Sequence, residues 1–292
     1  MKYLFSSNKF NFNSPKISIN KKFIVLVGLL IIGCKTQNVV NKDKNYSQNQ
    51  FQKNIRDYDT QAVLWQQLSA EYRALSYQAF NLAKLRLDTY LTKKRASNKP
   101  LAIITDIDET IFDNSPFNAK MIKSNTNYTK KNWDTWVKLE QATPIPGSLK
   151  FLKYATSKGV EIYYISNRSS NNTEETISNL KKIGFPIVDK NHILLKDSIS
   201  GKESRRQIVY KTKNVIMFLG DNLSDFSSLF DNQSTIVRNK LVDSLHLKFG
   251  NKFIVLPNTM YGDWNTKGIY EGNYNWTSFQ KDSIRKAKLR AY

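Results

Sequence analysis

Apolar residues recur at helical intervals in the stretch from about Asp59 to Leu91, which contains no Gly or Pro. This spacing predicts one long amphipathic helix or two helices in succession. The apolar positions that set the period are Leu64, Leu68, Tyr72, Leu75, Ala79, Leu82 and Leu85.

Five almost continuously apolar runs follow this stretch, and most of them are rich in β-branched residues. They are LAIIT (101–105), VEIYYIS (160–166), HILL (192–195), NVIMFLG (214–220) and KFIVLP (252–257). Runs of this kind, separated by helical lengths, are typical of parallel strands that are covered on both faces. We therefore predict an α/β fold with a doubly wound parallel sheet. In such sheets ligands bind beyond the carboxyl ends of the strands.

The first 33 residues have the pattern of an export signal. Lysines precede an apolar stretch at 23–33, which is too short to span a bilayer as a helix and ends at Cys34 in the motif IIGC. Cys34 is the only cysteine, so no internal disulfide can form. We predict a lipoprotein signal peptide (1–33), then a lipid on Cys34 and a flexible tether (34–57). The alternative is an ordinary secretory signal with a chance cysteine.

The chain is strongly basic, with 45 Lys and Arg against 24 Asp and Glu and a formal net charge of +21. Five lysines and no acidic residue lie in residues 1–33, so removal of that segment leaves +16. The remaining lysines are scattered and form no single stripe, which argues against a dedicated nucleic-acid surface. We expect instead a diffuse positive field that attracts phosphorylated small molecules. The two histidines, His192 and His246, are too few for a zinc site and give little support to haem binding.

Two carboxylates, Asp106 and Asp108, follow the first predicted strand and project to the same side of it. Two such carboxylates repel each other unless a cation binds between them or the two have different chemical roles. Hydrolysis of a phosphate ester requires such a pair, because one carboxylate attacks phosphorus and the other donates a proton to the leaving oxygen. A hard divalent cation brings the anionic phosphate to the nucleophile. Asp221 and Asp225, after the run at 214–220, are suited to that cation.

The phosphate oxygens need a hydroxyl group and a positive charge beside these carboxylates. Ser166 ends the second predicted strand, and Lys202 lies in the loop or helix start that precedes the run at 214–220. We predict that both bind phosphate. Lys196 and Arg205 are close to Lys202 in the sequence and are its alternatives.

In this order, the motifs resemble the haloacid-dehalogenase superfamily. The forms DIDETIFDNSP (106–116) and GDNLSDF (220–226) are similar to the bacterial class C acid phosphatases, which are outer-membrane lipoprotein 5′-nucleotidases. Further stretches that look like this family are SAEYRALSYQAFNLAK (69–84), WDTWV (133–137), ISNR (165–168) and LPNTMYGDW (256–264). The resemblance covers about 60–285, and the export signal agrees with it.

The resemblance implies a metal-dependent acid phosphatase that hydrolyses small phosphomonoesters, such as nucleoside 5′-monophosphates, with Mg²⁺ as cofactor. It implies Asp106 as the nucleophile and a metal ligand, and Asp108 as the acid/base whose backbone carbonyl also reaches the metal. It implies Asp221 as the third metal ligand. It implies that phosphate is bound by Ser166 and Lys202, and that the site is supported by Thr110, Asn167 and Asp225. The residues expected to bind the nucleoside are Trp133 and Tyr261, with Trp136 and Trp264 as weaker candidates.

The resemblance also sets the expected organisation of the chain. We predict a phosphatase domain at 58–285 and a C-terminal tail at 286–292. The sheet core is expected at about 99–113 and 146–258, and a smaller, mostly helical cap at about 58–98, 114–145 and 259–285. The expected location is the cell envelope, at the outer membrane. The sequence is compatible with a homodimer and does not decide the oligomeric state.

Several residues have simpler interpretations. Asp106 and Asp108 could be turn or capping residues, and an isolated aromatic such as Trp133 is usually a packing residue. Asp113 and Asn114, before Ser115-Pro116, are interpreted as turn residues. The alternative function is a lipid-anchored protein that binds nucleotides, phosphate or haem without turnover. The presence of Asp108 argues against that alternative and against a dehalogenase, because a halide leaves without a proton.

Overall fold

The five predicted strands form one parallel sheet in a computed structural model, which describes residues 56–93 and 98–292. The strands of this sheet are β1 (Leu101–Thr105), β4 (Glu161–Ser169), β5 (Ile193–Lys196), β6 (Asn214–Gly220) and β7 (Phe253–Val255). A separate antiparallel pair consists of β2 (Phe112–Asp113) and β3 (Thr143–Pro144). The predicted signal peptide, Cys34 and the tether as far as residue 55 lie outside the described residues.

The strand order is β5-β4-β1-β6-β7, with β1 at the centre. The chain first builds outward from β1 to β4 and β5, and then returns to the other side of β1 for β6 and β7. The carboxyl ends of β1, β4 and β6 are therefore neighbours at the point where the order reverses, which is where open α/β sheets bind ligands. The predicted α/β class with a parallel sheet is confirmed.

Helices surround the sheet. They are α1 (Asp57–Leu68), α2 (Ala70–Leu91), α3 (Ser115–Lys123), α4 (Lys130–Leu139), α5 (Ser148–Ser157), α6 (Thr173–Ile183), α7 (Glu203–Thr212), α8 (Thr235–Ser244) and α9 (Ser278–Lys288). A six-residue π-helix lies at Trp264–Ile269. Among the described residues, no helix is both long enough and apolar enough to cross a membrane.

Side chains of β1 alternate between two separate hydrophobic clusters. Leu101 and Ile103 pack in one cluster with α2, α5 and α6, whereas Ala102 and Ile104 pack in the other with α7. Because both faces of the strand are covered, each face must be apolar. This explains why the strands appear in the sequence as continuous apolar runs.

The predicted helical stretch before the sheet consists of two helices that meet at Ser69. The backbone of Ser69 is extended, and its hydroxyl oxygen accepts a hydrogen bond from the Tyr72 N–H at 3.0 Å. This is the N-cap arrangement that serine favours, because it satisfies an N–H group in the first turn. The cap ends α1 and starts α2 one residue later.

The second of these helices packs on the sheet. Phe80, Ala83 and Leu87 of α2 share a core cluster with Leu101 of β1 and Phe151 of α5. The sequence predicts that this segment is part of the cap, and in the structure its buried side chains pack in the same cluster as β1 and α5. The boundary between core and cap stays a prediction, because the apolar period of a helix does not tell which layer covers it.

The first helix contacts other segments of the predicted cap. The Gln66 side-chain amide donates to Asp113 Oδ1 at 2.7 Å, and the Arg56 guanidinium donates to the carbonyl of Thr126 at 2.8 Å. The Tyr58 hydroxyl donates to Asp282 in α9. Helix α1 and the preceding Arg56 therefore contact β2, the loop after α3 and the C-terminal helix α9. Helix α9 continues to Lys288, beyond the predicted start of the tail at residue 286.

Candidate active site

The loop after β1 is held by backbone hydrogen bonds. The Asp106 N–H donates to the Leu219 carbonyl at 3.0 Å, which extends the pairing of β1 with β6 by one residue. The Phe112 N–H donates to the Ile107 carbonyl at 2.9 Å, and Glu109 has a left-handed backbone with φ of 57°. These constraints fix the direction in which the carboxylate of Asp106 leaves the end of the strand.

Lys202 connects two carboxylates from different loops. Its ammonium nitrogen lies 2.5 Å from Asp106 Oδ1 and 2.7 Å from Asp225 Oδ1, and all three side chains are buried. Burial lowers the pKa of Lys202, but the two carboxylates raise it, and the net shift is upward. The lysine is therefore positively charged, and it lies beside the loop that follows β1.

Three carboxylates converge beside this lysine. Oxygens of Asp106, Asp221 and Asp225 lie within 4.8 Å of one another. Burial, together with the nearby Asp225, raises the pKa of Asp221 to about 7. Burial, with the carboxylates of Asp225 and Asp221 and against the opposing effect of Lys202, raises the pKa of Asp106 well above its usual range. A hard divalent cation stabilises such a cluster of carboxylates, because it supplies positive charge to several crowded oxygen ligands at once.

The Asp108 carboxylate turns away from this cluster toward Arg168. The Arg168 guanidinium donates from Nη2 to Oδ1 at 2.8 Å and from Nε to both oxygens at 3.0 and 3.1 Å. The Asn114 side-chain amide donates to Oδ1 at 2.9 Å. The structure thus gives Asp106 and Asp108, two residues apart in the sequence, different neighbours.

Ser166 lies between Asp108 and a second arginine. Its hydroxyl is 3.4 Å from Asp108 Oδ2, and its carbonyl accepts a hydrogen bond from Arg205 Nη1 at 2.5 Å. Arg205 also donates to the side-chain oxygen of Asn167 at 2.7 Å. Arg205, an alternative to Lys202 in the sequence, therefore holds the end of β4, whereas Lys202 contacts the carboxylates.

A cavity of about 930 Å³ opens over these groups, and both predicted nucleoside-binding residues line it. The Trp133 ring packs edge-on against the Phe117 ring, with 5.1 Å between their centroids. Tyr261, on the segment after β7, is 36% exposed. Apolar walls with a polar floor are typical of small-molecule sites.

The two weaker aromatic candidates have other places. Trp136 is buried, and its Nε1–H donates to Asn114 Oδ1 at 2.8 Å. Trp264 does not line the cavity; its Nε1–H donates to the carbonyl of Tyr261 at 3.2 Å. Trp136 therefore acts as a packing residue that orients a polar neighbour.

The sequence did not indicate Arg168 or Asn258 as site residues; the Asn258 side-chain amide donates to Asp221 Oδ2 at 2.8 Å. Asn114 was interpreted as a turn residue, but its amide bonds to Asp108. The neighbouring Asp113 does accept the Ser115 N–H at 2.8 Å, as a turn residue should. Arg168 stands in the quoted motif ISNR, and that motif was the available signal. Asp108, the partner of Arg168, is 60 positions away in the sequence, and no spacing rule connects these two residues.

The central strand of the parallel sheet is followed by two aspartates, the first of which contacts a lysine, and a cluster of three carboxylates that could hold a cation lies where the strand order reverses. This arrangement defines an α/β protein of the haloacid-dehalogenase type. The chain belongs to the family described as HAD superfamily, subfamily IIIB (Acid phosphatase), whose sequence profile matches residues 27–264. This confirms the predicted family and its enzyme class, the phosphoric monoester hydrolases.

Solved and curated relatives agree with this assignment. Two structures of the class C acid phosphatase from Bacillus anthracis are 44% identical to this chain and cover 82% of it and 99% of their own chain, with TM-scores of 0.78 (tungstate bound) and 0.77. The "Stem 31 kDa glycoprotein" of Glycine max is 24% identical over 166 residues, 55% of this chain and 62% of the relative. "Vegetative storage protein 1" of Arabidopsis thaliana is 28% identical over 133 residues, 42% and 47%. The chain spans about half to three fifths of these plant relatives.

Proposed function

We propose that the protein hydrolyses small phosphomonoesters, in particular nucleoside 5′-monophosphates, through an aspartyl-phosphate on Asp106. The observation that carries the proposal is the contact between the buried Asp106 and the Lys202 ammonium, at the base of a cavity that Asp108 and Asp221 also line. The family and the tungstate bound to the Bacillus anthracis relative support an oxyanion site.

The two aspartates divide the chemistry between them. A carboxylate oxygen of Asp106 forms a bond to phosphorus while the bond from phosphorus to the ester oxygen breaks, and Asp108 gives that oxygen its proton. Asp108, now ionised, then takes a proton from the water that attacks the aspartyl-phosphate. The second step releases phosphate and restores both carboxyl groups.

The side chains of Asp106, Asp221 and Asp225 fit a divalent cation, for which we propose Mg²⁺. The fit rests on their oxygens, which lie within 4.8 Å of one another, and it is supported by the pKa of Asp221, which burial and the nearby Asp225 raise to about 7. We also propose the backbone carbonyl of Asp108 as a ligand. A bound cation would neutralise the phosphate and the carboxylates around it.

The groups around the nucleophile supply the rest of the substrate site. We propose that Lys202, which contacts Asp106, and the Ser166 hydroxyl, 3.4 Å from Asp108 Oδ2, bind the phosphate oxygens. Trp133 and Tyr261 would stack on the base of a nucleotide, because both line the cavity above the phosphate position.

Phosphate release from AMP tests the proposal. We expect release by the wild-type protein with Mg²⁺, loss of release with EDTA, and a fall of at least about 1000-fold in Asp106→Asn, which retains the shape of the side chain but not the nucleophile. A folded wild-type protein that releases no phosphate from AMP or from an aryl phosphate would contradict the proposal. Binding of AMP without turnover would then favour the alternative of a binding protein.

We also propose that the protein is exported and held at the outer membrane by a lipid on Cys34. The support is the sequence pattern around IIGC, and it lies outside the described residues. In a bacterial host, Cys34→Ser should move the protein from the membrane fraction to the soluble or the unprocessed fraction. Retention of a processed variant in the membrane fraction would contradict lipid anchoring.

A further inference from the structure

Arg168 makes the most extensive side-chain contact with the acid/base that the proposed function requires. It is 2% exposed, and its planar fork makes three hydrogen bonds of 2.8 to 3.1 Å to the two oxygens of Asp108. A bidentate arginine fixes both the position and the plane of a carboxylate, which a lysine, with a single ammonium group, does not.

The two oxygens of Asp108 are held unequally. Oδ1 accepts two hydrogen bonds from Arg168 and a third from the Asn114 amide at 2.9 Å, and Asn114 is itself held by Trp136 at 2.8 Å. Oδ2 shares the Nε of Arg168 at 3.1 Å, and its other partner is the Ser166 hydroxyl at 3.4 Å. Oδ1 is therefore the anchored oxygen. Oδ2 is the oxygen with room for a proton, and it faces the serine to which we assign phosphate binding.

Arg168 is in turn held from several sides. Its guanidinium carbon lies 5.2 Å from the centroid of the Phe112 ring and 5.7 Å from that of Trp133. Its Nη1 is 3.4 Å from the Thr176 hydroxyl, and its backbone N–H donates to Ser166 Oγ at 3.1 Å. Because Arg168 is fixed in this way, its hydrogen bonds also fix the position of the Asp108 carboxylate.

We propose that Arg168 is a positioning residue, which acts with Asn114 to anchor Asp108 Oδ1 so that Oδ2 delivers the proton. The proposal rests on the proposed function. In the first step the proton passes from Oδ2 to the ester oxygen as its bond to phosphorus breaks, and the leaving group departs as a neutral alcohol. Asp106 supplies the electron pair of the new bond to phosphorus. Arg168 takes part in the proton transfer only through Asp108.

Two substrates with different leaving groups separate this role from a general structural one. The nucleoside of AMP needs a proton to leave, whereas p-nitrophenolate leaves p-nitrophenyl phosphate as a stable anion. For Arg168→Lys we expect kcat/KM to fall about 100-fold with AMP and less than about threefold with p-nitrophenyl phosphate. Only the leaving group of AMP needs a proton from the acid. Equal losses with both substrates would overturn the proposal.

The matched control is Arg238→Lys. Arg238 is also a buried arginine, 6% exposed, but its partners are Asp263, Phe230 and Asn222 and do not include Asp108. This variant should change kcat/KM by the same factor with both substrates. If it reproduced the selective loss with AMP, the loss would report general disturbance of the fold and the proposal would fail.

A double-mutant cycle tests whether the effect of Arg168→Lys passes through Asp108, and Asn114→Ser serves if Arg168→Lys folds poorly. In an Asp108→Asn background, Arg168→Lys should lower kcat/KM for AMP by less than about threefold further, because the acid on which it acts is gone. A full loss in that background would show that Arg168 acts elsewhere and would overturn the proposal. Asn114→Ser should show the same selectivity between substrates, and equal losses there would also count against it. A wild-type protein that turns over neither substrate would overturn the proposed function and this role together.

Discussion

The Thr110 hydroxyl donates a hydrogen bond to Asp221 Oδ1 at 3.1 Å. These residues lie 111 positions apart, on the loops that follow β1 and β6. The amide of Asn258, after β7, donates to the other oxygen of Asp221 at 2.8 Å. Three loops at the carboxyl edge of the sheet are thus connected through one carboxylate, which is oriented on both of its oxygens by protein groups alone.

The raised pKa of Asp221 predicts how stability depends on pH when the cation is removed. Its pKa is about 7 in the folded protein against an ordinary value of 3.8, so the folded state binds more protons than the unfolded state between these values. The corresponding stability is fully present below pH 3.8 and is lost as the pH rises through 7. Asp106, whose pKa is also raised, acts in the same direction. With EDTA present, the unfolding temperature should therefore fall between pH 5 and pH 8.

Addition of Mg²⁺ should reverse this loss. A cation that binds the ionised carboxylates competes with their protons, so the Mg²⁺-induced rise in the unfolding temperature should be larger at pH 8 than at pH 5. Circular dichroism at both pH values, with and without Mg²⁺, measures the difference. An equal rise at both pH values would show that these carboxylates do not bind the ion.

Replacing Lys202 should affect activity and the pH dependence of stability. Lys202→Gln removes the ammonium that contacts both Asp106 and Asp225, so we expect kcat/KM for AMP to fall at least about 100-fold. Loss of one partner from a buried ion pair also lowers the free energy of unfolding, by about 3 to 5 kcal/mol when the remaining charge stays ionised. The fall in unfolding temperature should therefore be larger at pH 8 than at pH 5.

The control for this variant is Lys196→Gln. Lys196 is the nearby lysine that the sequence left as an alternative, and it does not line the cavity. We expect little change in kcat/KM for AMP. If the two variants lost similar activity, the assignment of phosphate binding to Lys202 would be wrong.

The sheet and the main carboxylates were predictable because both leave local signals. A strand buried on two faces must be apolar at each position, as in LAIIT, and the residues that follow it reach the ligand edge of the sheet. The sequence alone therefore predicts that Asp106 and Asp221 lie near each other. The cluster of oxygens around them agrees with that expectation.

The partners of these carboxylates were harder to predict. The contact between Arg168 and Asp108 depends on the lengths of two strands and on the rotamer of a long side chain, and neither is encoded in a spacing. The layer against which α2 packs is hard to predict for a related reason. Leu87 of this helix is buried, but Leu75 and Leu85 are 42% and 57% exposed, so the leucine spacing that predicts the helix does not identify its buried face.

Stacking on Tyr261 should set the preference for nucleotides. Because base stacking contributes about 1 to 3 kcal/mol, Tyr261→Leu should lower kcat/KM for AMP by about 5- to 150-fold. Glycerol 3-phosphate, which has no base, should be hydrolysed at nearly the wild-type rate. Tyr261→Phe retains the ring and should retain the preference.

A neighbouring aromatic residue provides the comparison. Trp264 is 43% exposed on the same segment but does not line the cavity, so Trp264→Leu should leave the ratio of the two substrates unchanged. A Tyr261→Leu variant that lost the same factor with glycerol 3-phosphate as with AMP would argue against stacking.

Truncation of Leu87 tests whether α2 belongs to the sheet core. Leu87 is fully buried in the cluster that contains Leu101 and Phe151, and removal of such a side chain costs about 2 to 5 kcal/mol of the free energy of unfolding. Leu85, on the same helix, is 57% exposed, and Leu85→Ala should change that free energy by less than about 0.5 kcal/mol. Urea denaturation of both variants measures the difference. If α2 could separate from the sheet as part of an independent cap, Leu87→Ala would produce a second transition at low urea. A single transition shifted to lower urea would instead show that helix and sheet unfold together.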